Sequence, residues 1–233
     1  MAVVSKTLIS VHVPKTGGSS LRDELSARLG GSLLLDYDHS PRGARAAETV
    51  GALPAGVAAV HGHFRPARYA QLPQAYLFTF LRDPVDAMIA RYFHWRGPRS
   101  RWRDWLAFVR AETTEAADRR RQRSNFEPGG IWADVVQFAV NSGTRHLLSQ
   151  LYFSDFDMGR FDFIGFYETR QQDMARLSQQ IGLDLRASRH SNRSRHSRRE
   201  RNLIDQDSDL RVRLRDVLSD DVRFYEQQRA YRS

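Results

Sequence analysis

The chain of 233 residues and 26.9 kDa is the size of one large domain or two small ones, and 41% hydrophobic residues are enough for a sizeable core. This excludes collagen, a coiled coil and wholesale disorder. Its 36 Lys+Arg against 27 Asp+Glu give a formal charge of +9, which favours anionic partners without choosing among them, and the absence of cysteine excludes a disulfide scaffold and thiolate chemistry.

In chain order, Thr7 to Val13 is apolar and β-branched and runs into Pro14 and Gly17-Gly18, which predicts a buried strand followed by a tight loop. Leu21, Leu25 and Leu29 then recur every four residues, predicting a helix with one apolar stripe that ends at Gly30-Gly31. Short strands are expected at Leu33 to Leu35 and Val57 to Val60, and a fourth at Ala75 to Leu81. Asp83-Pro84 supplies an N-cap and first-turn proline for a helix whose apolar face is Val85, Met88, Ile89, Tyr92 and Phe93. Trp102 to Ala111, Asp134 to Val140 and Thr144 to Leu151 read as helical, with an arginine-rich surface stretch around Arg119 to Ser124. Phe161 to Tyr167 reads as a late strand, and Thr169 with Gln172 as a capping box for a helix carrying Met174, Leu177 and Ile181. Residues 184–206 read as a long loop and Leu210 to Tyr231 as one or two closing helices. Strands alternating with helices, without repeats or a long linker, predict a single α/β domain over residues 1–233, with a parallel sheet flanked by helices on both faces.

Lys6 and Lys15 are the only lysines, so the positive charge is almost all arginine. Residues 186–201 hold seven arginines and one acid, Glu200, a local excess unlike the spread charge of a nucleic-acid coat protein. Met1 to Ser10 lacks a charged segment followed by an apolar stretch, and no run approaches the roughly 20 apolar residues of a membrane helix, so a soluble, cytoplasmic protein without a transmembrane segment is expected.

Three chemically loaded segments fall at predicted carboxyl ends of strands, the edge where open α/β sheets bind ligands. In Pro14-Lys15-Thr16-Gly17-Gly18-Ser19-Ser20 the glycines allow a sharp turn, the helix start offers unpaired N–H groups to an anion, and Lys15, Thr16, Ser19 and Ser20 add donors. The lysine precedes the glycines, unlike a nucleoside-triphosphate P-loop; the plainer reading is an ordinary strand-to-helix turn. Arg82 ends a strand and precedes a helix, a corner suited to a second anion or to an ion pair with Asp83 or Asp86. His61-Gly62-His63 places two imidazoles on one side with a glycine making room between them, which fits a general base, a metal pair without a clear third ligand, or structural histidines.

Together these segments resemble the sulfotransferases that use 3′-phosphoadenosine 5′-phosphosulfate, in particular the carbohydrate type with the paired-histidine motif of the heparan and uronyl 2-O-sulfotransferase branch. V-P-K-T-G-G-S-S-L is similar to their 5′-phosphosulfate loop, F-L-R-D-P-V-D-A-M-I-A-R-Y to their 3′-phosphate element, and H-G-H-F to the histidine motif. N-S-G-T-R-H-L-L-S, F-I-G-F-Y-E-T-R, H-S-N-R-S and F-Y-E-Q-Q echo later segments in the family's order.

The resemblance implies a P-loop-like sulfotransferase fold and sulfuryl transfer from the phosphosulfate donor, leaving adenosine 3′,5′-bisphosphate, to a hydroxyl acceptor, with a carbohydrate or glycoconjugate as first guess. It implies that Lys15 neutralises the departing phosphate, that Thr16, Gly17, Gly18, Ser19 and Ser20 cradle the 5′-phosphate, and that Arg82 holds the 3′-phosphate. His63 would be the general base with His61 assisting, and no metal is required. Ser191, Asn192 and Arg193, in the H-S-N-R-S echo, would touch the nucleotide. One departure stands out: Ala90 occupies a position where the family usually has serine, and Arg91 is a candidate replacement donor.

The arginine-rich stretch has two further readings, an acidic-polymer site and a solvated loop. Trp95, Trp102 and Trp105 suggest either a sugar platform or core packing, with packing favoured. The rival functions are an atypical phosphoryl-transfer enzyme and a polyanion-binding module, and neither accounts for three motifs along one sheet edge. No nucleic-acid partner is expected, and the oligomeric state is left open.

Overall fold

The computed structural model describes residues 6–43, 45–96, 134–187 and 198–231, with 198–201 described by their backbone alone. The predicted helix from Trp102 to Ala111, the surface stretch around Arg119 to Ser124, Trp102, Trp105, Ser191, Asn192 and Arg193 lie outside the described residues. Five strands, β1 (Thr7–Val11), β2 (Leu33–Asp36), β3 (Ala59–Gly62), β4 (Ala75–Leu81) and β5 (Phe163–Phe166), form one sheet in the order β2-β3-β1-β4-β5. Every pairing is parallel. The helices are α1 (Gly18–Leu29), α2 (Pro84–Arg96), α3 (Val135–Asn141), α4 (Arg170–Ile181), α5 (Arg198–Gln206), α6 (Ser208–Val217) and α7 (Ser219–Ala230).

The chain divides into two compact units, one of residues 1–83, 147–191 and 224–233 and the other of 84–146 and 192–223. The first contains the whole sheet. Because successive strand residues point to opposite faces, each strand contributes to two cores. Leu8, Ala59, Phe78, Phe80 and Phe163 pack with Leu21 and Leu25 of α1 and Met174, Leu177 and Ile181 of α4. Ile9, Val60, Leu77, Leu81 and Phe166 pack on the other face, with Leu147, Leu148, Tyr152, Phe153 and Tyr225. Strands buried on both faces explain why β1 and β4 read as continuous apolar runs. In the second unit the predicted apolar face of α2 packs with Val135, Phe138, Leu214 and Leu218; Trp95 joins this core, in line with the packing role.

Three local expectations change. Residues 198–206 of the predicted loop are helical; with neither proline nor glycine, the arginines, Leu203 and Ile204 carry no helix breaker, and the charge run masked that propensity. The segment expected as a helix from Thr144 is a π-helical turn at Leu147–Tyr152. Thr169 is the N-cap of α4 but makes no side-chain cap bond; its hydroxyl donates to Asp173 Oδ2 at 2.8 Å, where a buried carboxylate also accepts from Phe166 N–H, and an ionised acceptor outcompetes the capping geometry. Among the described residues no helix is long and apolar enough to cross a membrane.

Candidate active site

The register aligns the carboxyl ends of the strands. Val11 pairs with Gly62 on one side and Thr79 on the other, Asp36 with Gly62, and Leu81 with Phe166. The residues that follow each of these positions therefore share one edge of the sheet, and that is where the first unit gathers Lys15 to Ser20, His63, Arg82 and Arg170.

The loop after β1 is held from below. Lys15 has a left-handed backbone, φ 71°, and Gly17 another, φ 87°. For a lysine that conformation costs about 1 kcal/mol or more. Two guanidiniums hold the loop's carbonyl side: Arg82 donates to Lys15 O at 3.2 Å and Arg170 to Thr16 O at 3.3 Å. Thr16 is buried and its hydroxyl donates to Val13 O at 2.8 Å, so this side chain closes the loop on itself and its outward donor is the backbone N–H. Ser19 and Ser20 lie half-buried in the first turn of α1. A Cβ at Gly17 would fall 2.6 Å from the Arg170 guanidinium, and one at Gly18 would fall 1.9 Å from the His12 ring. Both glycines are therefore required by close packing around the loop.

The histidine pair is in fact a triad of stacked rings. His12, immediately after β1, stacks on His63 at 4.3 Å and on His61 at 5.0 Å between centroids, with interplanar angles of 24° and 21°. Stacked rings carry their nitrogen lone pairs in parallel planes, so they do not converge on a metal, and among the described residues no group of three or more ligating side chains is placed to hold one. The glycine between His61 and His63 does not make room for the imidazoles as expected. A Cβ on Gly62 would lie 1.6 Å from the Asp36 carbonyl oxygen, so it is the neighbouring strand that demands glycine. Asp36 is itself anchored, its carboxylate accepting from Arg68 Nε at 2.9 Å and Tyr69 OH at 2.7 Å.

His63 Nδ1 lies 2.6 Å from the carbonyl oxygen of His12 and 3.1 Å from Tyr152 OH. A carbonyl only accepts, so Nδ1 carries the proton and the ring's lone pair is on Nε2. His63 is half-buried, whereas His61 is 0% exposed, with Nδ1 2.8 Å from Ser10 Oγ and Nε2 without a hydrogen-bond partner among the described residues. Burial, then the neighbouring His63 and Arg22, hold the His61 pKa down at about 3. His12 is likewise pushed well below the ordinary imidazole value, first by burial and then by His63, His61, Arg22 and Lys15. Both rings are neutral at physiological pH.

This has a consequence for stability. Below pH 6.5 the unfolded chain protonates at His61 while the native state does not until about pH 3, so the contribution is intact above 6.5 and lost progressively as pH falls through that window; His12 acts in the same sense. Urea unfolding midpoints are expected to drop between pH 7.5 and 5, with a shallower slope in His61→Asn. An identical slope in that variant would mean that His61 is not held neutral.

Sequence reasoning picked out Lys15, His61, His63 and Arg82, and the fold brings all four to one edge. It missed His12 and Arg170. His12 was legible in principle, because pairing β1 with β3 in the register Ser10 to His61 sets position 12 beside position 63. Arg170 closes the F-I-G-F-Y-E-T-R echo, but that motif assigned it no role, and its contact with Thr16 spans 154 residues.

A family model described as the sulfotransferase family matches residues 4–228. The chain belongs to the sulfotransferase family. The match covers residues of both compact units. No curated protein sequence matches this sulfotransferase.

Proposed function

We propose that this sulfotransferase uses 3′-phosphoadenosine 5′-phosphosulfate to sulfate a hydroxyl acceptor, with a carbohydrate as the acceptor class, and that residues 1–233 act as one catalytic domain. The single observation that carries the reading is the joining of the lysine loop to both other motifs: Arg82 donates to the carbonyl of Lys15, and His63 donates to the carbonyl of His12, three residues before it.

The residues present fit such a donor. The two left-handed positions of the loop, the glycines closed from behind by His12 and Arg170, and the buried Arg170 nitrogen without a partner among the described residues all suit an anion-bearing nucleotide. When bound, that nucleotide supplies an activated sulfuryl group on a phosphate leaving group. Lys15, with the N–H groups of Thr16 to Ser20, stabilises negative charge gathering on the 5′-phosphate side. Arg82, its guanidinium stacked 4.2 Å from the Tyr167 ring, is oriented for the ribose-borne 3′-phosphate. His63, with Nδ1–H committed to His12, accepts the acceptor's hydroxyl proton at Nε2. His61, wholly buried, assists from behind through the His12 stack. Ser191, Asn192 and Arg193 complete the nucleotide site on the strength of their motif alone.

The carbohydrate acceptor rests on the H-G-H-F resemblance, and a cytoplasmic location rests on the sequence expectation. The nucleotide reading is tested by thermal shift with adenosine 3′,5′-bisphosphate, 5′-AMP and ATP at equal concentration, because a ligand specific for the native state raises its melting temperature by mass action. The bisphosphate alone is expected to give a large shift. Equal shifts from all three would overturn the assignment and favour general polyanion binding.

A further inference from the structure

Building on that nucleotide reading, we infer that Arg170 is a second guanidinium for the ribose-borne phosphate, supplying the donor capacity that alanine at position 90 lacks.

Arg170 lies beside the lysine loop. It opens α4, directly after β5, and its backbone N–H donates to Tyr167 O at 3.3 Å. Tyr167 is the ring on which Arg82 stacks, so one turn of chain ties both guanidiniums together. They also grip adjacent carbonyls of the same loop, Arg82 at Lys15 and Arg170 at Thr16. The Arg170 guanidinium lies 5.4 Å over the Phe80 ring and presses against Gly17. Only one of its terminal nitrogens is used: Nη2 is buried and has no hydrogen-bond partner among the described residues.

A guanidinium nitrogen buried with its donor unmet is costly unless an anion completes it. The nearby carboxylates on its own element and the neighbouring loop are engaged elsewhere. Glu168 accepts from Asp83 N–H and from Tyr225 OH, and Asp173 accepts from Phe166 N–H, Thr169 and Arg176. A dianionic phosphate shared with Arg82 meets both needs, and planar guanidinium forks are suited to it.

The rival role for Arg170 is purely architectural, holding Thr16 O and nothing else. Calorimetric titration of the purified full chain with adenosine 3′,5′-bisphosphate and with 5′-AMP separates the two, since these ligands differ in the 3′-phosphate. In Arg170→Ala the bisphosphate Kd is expected to rise by roughly tenfold to a hundredfold, as for loss of a charge-assisted hydrogen bond, while the 5′-AMP Kd changes by less than about twofold. Arg170→Gln keeps an amide donor for the Thr16 carbonyl without the charge, and is expected to lose the same discrimination with its nucleotide-free melting temperature closer to the parent's. If both ligands weaken equally in both variants, Arg170 only shapes the loop and the inference is wrong. If the parent protein itself shows no preference for the bisphosphate, the nucleotide reading fails first and this inference with it.

Discussion

Replacing His63 by alanine is expected to lower turnover by roughly a hundredfold to ten-thousandfold, the usual worth of a positioned general base, while adenosine 3′,5′-bisphosphate binds with unchanged affinity. The two readouts separate because the role proposed for His63 lies at its Nε2, whereas its Nδ1 is committed to the backbone carbonyl of His12. Removing the imidazole deletes one donor to that carbonyl and leaves the loop's own glycines and Lys15 in place. Single-turnover rates with saturating donor, together with calorimetric binding of the bisphosphate, check this. Full turnover in the variant would place the base elsewhere, with His12 the next side chain to test. His63→Gln, which keeps a hydrogen-bonding side chain but no base, is expected to be equally impaired.

Lys15 carries the second large effect, on binding and chemistry together. Lys15→Ala is expected to weaken bisphosphate binding by about tenfold to a hundredfold, the worth of one hydrogen bond to a charged group, and to slow transfer by a further hundredfold or more as charge on the leaving phosphate goes unmet. The left-handed backbone at this position gives an unusual control. Lys15→Gly removes the same amine but relieves the backbone cost, so it should be at least as stable as the parent while being equally inactive. A glycine variant that melts higher and does not transfer sulfate would show that the strained conformation is kept for the ammonium group. One that binds and turns over normally would remove Lys15 from the mechanism.

Much of this was legible in the chain because the signals are local. A β-branched run entering P-K-T-G-G-S-S says strand, turn and helix start within a dozen residues, and L-R-D-P says the same at β4. Leu21, Leu25, Met174 and Leu177 announce buried helix faces through their spacing, and each is buried in the first unit. Where expectation and structure part, a competing partner intervenes. Asp173 takes the Thr169 hydroxyl that the capping box was to use, and Gly62 answers to the Asp36 carbonyl across the sheet instead of to the histidines beside it.

By itself the amino-acid sequence determined the alternation of strands and helices, the loop chemistry around Lys15 and the family, because each depends on residue types at short spacings. Only the tertiary structure decided that His12 stacks with the histidine pair, that His61 is sealed away while His63 is not, and that Arg170 shares the loop with Arg82. Those facts depend on the strand order β2-β3-β1-β4-β5, which sets residues about 50 to 150 positions apart side by side. Burial, which keeps the His12 and His61 imidazoles neutral and leaves Arg170 Nη2 without a partner among the described residues, is a property of neighbours in space that short-range spacing does not encode.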